Sequence, residues 1–206
     1  MLIHKMEQRS EAWHEIKLGR FSATRIDSLM SAKSTAKYQN CIAEVACEIL
    51  THETEENYVS EDMERGIDLE PEARKLYESI FDIEVQEVGF IEPENDYGEW
   101  VGVSPDGLVG EYGMLEIKCP KAKTLFKYIS DNKLPNEYKW QVQSQLFFTG
   151  RQWCDFMAYY PGLKPFLLRV YPDIVMFEQI DKEVLNAIKE VKKIIEIYNN
   201  YDHLNS

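Results

Sequence analysis

Ser104-Pro105-Asp106-Gly107, followed ten residues after Asp106 by Glu116-Ile117-Lys118-Cys119-Pro120, is the stretch on which the reading of this 206-residue chain turns. The segment Gly113-Met114-Leu115-Glu116-Ile117-Lys118-Cys119 is bounded by turn formers and reads as a strand. Side chains alternate along a strand, so Glu116 and Lys118 leave the same face, with Asp106 on the turn or strand before them. Two carboxylates and one ammonium then converge. A hard divalent cation takes about six oxygen ligands and is commonly held by one or two carboxylates plus waters and substrate phosphates. Asp106, Glu116 and the backbone carbonyl of Ile117 meet that need, which makes Mg²⁺ the expected ion. Such an ion acidifies a water and neutralises a phosphate, and Lys118 is placed to orient or deprotonate that water. Acting as a base requires its pKa to fall from about 10.4. The competing reading is a structural ion pair between Glu116 and Lys118 on the solvent face of a strand.

Outward from this stretch, the period of the apolar residues divides the chain. Ser10 caps an amphipathic helix over residues 11–18 that Gly19 stops, with Trp13 read as a core residue. Phe21-Ser22-Ala23-Thr24-Arg25-Ile26 enters a second helix, whose free N-terminal amides attract phosphate. Residues 38–50 and 67–80 carry apolar side chains at helical spacing. Residues 83–91, 99–104 and 113–119 are β-rich runs separated by Asn95, Asp96, Gly98, Asp106 and Gly107. Helices follow at 123–131 and 136–148, then strands at 153–160 and 166–171, then a helix over 181–199. The order αααβββααββα predicts an α/β (α+β) fold, a central mixed sheet flanked by helices, as a single domain over residues 1–206. No internal repeat is present.

The net charge is −13, which taken whole argues against a polyanionic partner. Its distribution argues differently. Residues 1–37 carry +3, 38–116 carry −19, 117–169 carry +6 and 170–206 carry −3. Two basic segments around an acidic middle suit an anionic substrate beside a carboxylate-held metal, although acidic runs such as Glu53, Glu55 and Glu56 also read as a solvated face. Cys41, Cys47, Cys119 and Cys154 form no CxxC pair, against a disulfide framework or a cysteine zinc site. No apolar run has the length of a membrane span and the first residues lack a secretory signal, so a cytoplasmic protein is expected.

Asp followed by Glu-x-Lys is the pattern of the PD-(D/E)xK nucleases. Five segments in order narrow it further: residues 12–24 (AWHEIKLGRFSAT), 66–78 (GIDLEPEARKLYE), 104–108 (SPDGL), 115–120 (LEIKCP) and 141–150 (QVQSQLFFTG). Together they resemble the phage lambda-type recombination exonucleases, the YqaJ-like viral recombinase group. The resemblance implies a restriction-endonuclease-like core that degrades one strand of duplex DNA 5′ to 3′ from its ends and leaves a 3′ single-stranded tail. It implies Asp106, Glu116 and Lys118 as the catalytic triad, Glu70 as an upstream acid helping to hold the metal through water, and Gln141 as an active-site glutamine. Gln143 and Gln145 read as solvated. Lys17 and Thr24, with Ser22 and Arg25 beside them, take positions that bind the 5′ phosphate. The family often has arginine at position 17, and a lysine offers a point charge in place of a bidentate fork. Met63 falls where such enzymes place an apolar wedge against the duplex end. Also implied are two Mg²⁺ ions with Mn²⁺ as a substitute, a homotrimeric ring threading DNA, a single-strand annealing protein as partner, and a phage or prophage origin.

Three other functions remain open on the sequence. An endonuclease of the same superfamily shares the metal site and needs a module that reads sequence or structure, and none is visible. An iron–sulfur nuclease needs clustered cysteines. A DNA-binding subunit that has lost catalysis is expected to lack one of Glu70, Asp106, Glu116 or Lys118, and all four are present.

Overall fold

The computed structural model describes residues 1–54, 60–94 and 97–201. The expected turn residues Asn95 and Asp96, and Glu55 and Glu56 of the acidic run, lie outside them. The element on which the rest is assembled is the strand expected from Gly113, which runs Gly113–Lys118. Four strands precede it after the N-terminal segment: Val85–Gln86 (β3), Phe90–Glu92 (β4), Val101–Gly102 (β5) and Gly107–Val109 (β6), making Gly113–Lys118 β7. With Trp153–Ala158 (β8) and Phe166–Val170 (β9) it forms a five-stranded sheet of order β3-β6-β7-β8-β9. The β6–β7 hairpin is antiparallel, with Gly107 opposite Leu115 and Leu108 opposite Met114. The step from β7 to β8 is parallel, pairing Glu116 with Phe156 and Lys118 with Ala158. A parallel step requires a crossover. Residues 122–149 supply it as Ala122–Asp131 (α5), a 3₁₀ turn at Asn136–Tyr138, and Lys139–Thr149 (α6).

β7 is buried on both faces, and its period of two divides the interior. Leu115 and Ile117 pack with Ala73 and Tyr77 of the helix Glu61–Phe81 (α4) and with Met157. Met114 faces the larger cluster, which draws on Ala23–Leu29 (α2), Ala36–Thr51 (α3), α6 and Ile174–Asn199 (α7). Fully burying a Leu, Ile or Phe stabilises by about 1.5–3 kcal/mol. The sheet is therefore sealed on both sides, and its polar residues emerge at the end of β7. The expected α+β class, a mixed sheet flanked by helices, is what forms.

The first helix, Glu11–Lys17 (α1), begins at Ser10, whose Oγ accepts from the Trp13 amide, and ends before Gly19, where φ is +69°. Phe21–Ser22 (β2) then pairs parallel with β5. Several elements depart from the sequence expectation. Leu2–His4 forms a strand (β1) against β4, too short to show a period. Gly107, expected in a turn, opens β6, while all four helical segments expected ahead of β3 form. α4 starts six residues early because the Ser60 Oγ accepts from the Met63 amide, and it continues through Pro71. α7 starts seven residues early, because Asp173 Oδ1 accepts from the Val175 and Met176 amides. Among the described residues no helix is long and apolar enough to cross a membrane.

Candidate active site

Asp106 directly precedes β6, and its Oδ2 accepts the Ile117 amide proton at 2.6 Å, so one hydrogen bond ties this carboxylate across the hairpin to β7. Glu116, 1% exposed, lies one position before that amide. Its Oε1 accepts from Lys118 Nζ at 2.5 Å and from Gln141 Nε2 at 2.5 Å. Its Oε2 accepts from Gln145 Nε2 at 2.9 Å. The two amides reach one carboxylate because positions i and i+4 share a face of α6. Gln145, one turn on from Gln141 and read from sequence as solvated, is 1% exposed and holds the back of Glu116; its four-residue step from Gln141 is the sequence signal for that place. Gln143, read the same way, is also buried, and it ties the Tyr171 carbonyl and the Asp173 amide, a structural role. Gln145 Oε1 has no hydrogen-bond partner.

Glu70 of α4 lines the same cleft, of about 690 Å³, with Asp106, Lys118 and Gln141. Both of its oxygens are occupied: Arg74 donates to Oε1 at 2.7 Å and Arg9 to Oε2 at 3.0 Å. Burial, then the adjacent Glu116, push the Asp106 carboxyl well above the usual carboxylate range, against the opposing pull of Lys118 and of the Ile117 amide. Burial works to neutralise Lys118, yet Glu116 and Asp106 outweigh it and hold the ammonium above its ordinary range. The structure therefore keeps Lys118 protonated, opposite to the fall that a general base requires.

The chemistry of this donor set fits a divalent cation. Two mutually repelling carboxylates, Asp106 and Glu116, meet beside the Ile117 backbone at the floor of a cleft, where a cation relieves the repulsion. Among the described residues no three His, Cys, Asp or Glu side chains form a closed metal cluster. A Mg²⁺ at this site would therefore need oxygens beyond the two carboxylates, which the Ile117 carbonyl, water and substrate could supply.

A second cleft, of about 760 Å³, adjoins the first, and Arg9, Trp13, Thr24, Met63 and Ile67 line both. It gathers the predicted phosphate residues Lys17, Ser22, Thr24 and Arg25. Ser22 and Thr24 join hydroxyl to hydroxyl at 3.0 Å. Arg25 is committed to Glu48 through two bonds of 2.8 and 2.5 Å, so its charge is already largely balanced. Among the described residues Lys17 makes no ion pair with a carboxylate; its Nζ stands 3.5 Å from the centre of the Trp13 ring. Burial, then the nearby Arg25, lower its pKa to about 8, with Arg9 adding to the effect and Glu48 opposing it. Trp13 is not a core residue. Its Nε1–H reaches the Gly89 carbonyl at 2.9 Å and Ser104 Oγ at 3.1 Å, and its face carries Lys17. Met63 is 55% exposed in the first turn of α4, at the boundary of the two clefts.

The profile of the YqaJ-like viral recombinase domain matches residues 12–152, from α1 to the end of α6, and so spans both clefts. The chain belongs to this family. Among solved structures, this YqaJ-like chain is similar to an alkaline exonuclease, LHK-Exo from Laribacter hongkongensis, at 37% identity and a TM-score of 0.84, covering 92% of this chain and 96% of that one. The same exonuclease in complex with dAMP matches equally well. A phage related exonuclease from Haemophilus somnus 129PT, 15% identical over 86% of this chain and 95% of its own, shares the fold at a TM-score of 0.63. No curated protein matches the sequence.

Proposed function

We propose that this YqaJ-like protein is a Mg²⁺-dependent exodeoxyribonuclease that starts at duplex DNA ends, degrades one strand 5′ to 3′ and leaves the other as a 3′ tail for recombination. The observation that carries the reading is the continuity of the two clefts: the Asp106–Glu116–Lys118 cluster opens directly onto the pocket of Lys17, Ser22 and Thr24. The likeness to LHK-Exo, which has been solved with dAMP, supports it, since a deoxynucleoside monophosphate is the product of removing one nucleotide at a time.

Asp106, Glu116 and the Ile117 carbonyl would hold the cation, with Glu70 helping through water; two ions are expected, for which Mn²⁺ would substitute. When bound, Mg²⁺ neutralises the phosphodiester and supplies a more acidic water. The Lys118 ammonium orients the attacking water and places positive charge beside the scissile phosphate. Gln141 holds Glu116 from the cleft side and faces the substrate. Lys17, with the hydroxyls of Ser22 and Thr24, receives the terminal 5′ phosphate and so sets the direction of digestion, with Arg25 closing the wall. Met63 bears on the end base pair as its strands part. The assembly is a homotrimeric ring around the duplex, and a single-strand annealing protein takes over the 3′ tail.

The test is a time course on linear duplex DNA labelled at opposite ends of one strand, with Mg²⁺ or with EDTA, beside a closed circle. The expected result is Mg²⁺-dependent loss of the 5′ label first, a surviving complementary strand and an intact circle. Asp106→Ala and Glu116→Ala should each slow digestion about a thousandfold, the several kcal/mol of charge stabilisation that a metal site contributes. Glu116→Ala should also lower the melting temperature, because it strands the Lys118 ammonium and two side-chain amides. A cut circle replaces this reading with an endonuclease, and near-normal activity of both variants removes the metal site.

A further inference from the structure

The outer face of α5 is left uncovered by the rest of the fold. The helix turns Leu125 and Tyr128 inward, where the Tyr128 ring meets Phe156 and Phe166. Lys123, Phe126, Lys127 and Ser130 follow at three- and four-residue steps and are all exposed. Phe126 is 58% exposed and its neighbour Ile129 44%. Many cations of this chain are matched to carboxylates: Lys33 to Glu190, Lys37 to Asp27, Arg74 to Glu70 and Glu87, Arg169 to Asp155. Lys123, Lys127 and, just beyond the helix, Lys133 make no ion pair with any described residue. Other lysines, Lys75, Lys164 and Lys193 among them, also lack such a pair among the described residues, so what marks this face is the grouping of lysines around an exposed phenylalanine on a helix that begins at the cleft.

The position of this face says what it meets. Lys121 and Thr124, from the first turns of the same helix, line the catalytic cleft, so the face continues outward from the cleft rim. Lysines spaced along a backbone together with an aromatic ring that any base can stack on are how single strands are held without sequence preference. We infer that the outer face of α5 is a single-stranded DNA track, along which a strand at the catalytic cleft runs with Lys123 and Lys127 on its phosphates and Phe126 against a base. The identity of the strand as DNA rests on the exonuclease reading; the surface itself does not require cleavage.

Binding of the whole protein to a fluorescent 20-nucleotide oligo(dT), measured by anisotropy in EDTA over a series of salt concentrations, tests this without catalysis. Each phosphate contact on a single strand contributes about 0.7 to the slope of log affinity against log salt, so Lys123→Gln with Lys127→Gln should lower that slope by about 1.4. Phe126→Ala should weaken binding about five- to a hundredfold, with the slope unchanged. Absent binding by the wild type, or affinity and slope unaltered in both variants, overturns the track. Variants that sediment at a lower mass than the wild type also overturn it, because the face is then a contact between copies. Failure of the wild type to digest duplex ends in Mg²⁺, with α5-dependent oligo(dT) binding intact, would instead remove the exonuclease reading and leave the track standing.

Discussion

Glu116 accepts three side-chain hydrogen bonds, from Lys118, Gln141 and Gln145, in a position where it is 1% exposed. Two of these donors approach Oε1 from the cleft, while Gln145 holds Oε2 from behind. Partners of this kind fix the orientation of a ligating carboxylate, and their removal typically costs 10–100-fold in metal affinity. Gln145→Leu, similar in size and without the amide, should raise the Mg²⁺ concentration for half-maximal activity by about that factor, with the maximal rate largely recovered at saturating metal. Direct Mn²⁺ titration of the unreacted protein checks it, and an unchanged affinity assigns Gln145 to packing alone. The same amide leaves its Oε1 without a partner, at a cost of about 1–3 kcal/mol. Gln145 escapes a reading of the sequence because nothing local distinguishes it from Gln141; only the approach of α6 to β7 buries one and leaves the other at the cleft.

The short helix α1 carries its function at two positions one turn apart. Trp13 is fastened by its indole N–H to Gly89 and to Ser104, two residues before Asp106, and its ring supports Lys17 at position i+4. The helix thereby links the pocket proposed for the 5′ phosphate to the β6–β7 hairpin. A cation–π contact leaves the Lys17 charge available to an incoming phosphate in a way that an ion pair such as Arg25–Glu48 does not. Burial, followed by Arg25 and Arg9, brings Lys17 to a pKa of about 8, so the pocket holds this charge below that pH and loses it above. The preference for 5′-phosphoryl over 5′-hydroxyl ends should therefore fall as pH rises through about 8, and kcat/KM ratios on paired duplexes measure it. Lys17→Arg should flatten the profile, because a guanidinium stays charged throughout this range. A wild-type ratio that is constant with pH removes Lys17 from phosphate recognition. The position of Lys17 on an amphipathic turn is legible from the sequence. Its lack of an ion pair among the described residues is not, because Glu48, the acid that acts on it, comes from α3 and is taken by Arg25.

Across the whole molecule, the charge separation that the sequence shows becomes partly local neutralisation. Part of the acidic middle segment is spent on cations from elsewhere, as in Arg9–Glu70, Arg20–Glu92 and Arg25–Glu48, and Glu116 is enclosed. The lysines of residues 121–133 are largely left uncompensated beside the cleft, which agrees with a polyanion approaching from that side. For the ring proposed here, sedimentation equilibrium should return about three times the 24.2 kDa chain mass, and a monomer mass would remove it.

The sequence by itself determined the α+β class, the strand that presents Glu116 and Lys118, and the grouping of these two with Asp106, because these follow from short-range periods and from spacings within a hairpin. It misjudged the starts of α4 and α7, where the side-chain oxygens of Ser60 and Asp173 cap helices ahead of the first clear apolar period. The parallel pairing of β7 with β8 brought α6 over Glu116, and the packing of α1 beside the hairpin joined the two clefts into one. Those contacts join residues 25 to 91 positions apart. The packing of distant segments also supplies the burial that acts on Lys118 and Lys17, whereas the charges beside them, Glu116 and Asp106 for the one and Arg25 and Arg9 for the other, stand nearer in the chain. Burial and the company of other charges set the state of both lysines, and the burial arises only when distant segments are packed together.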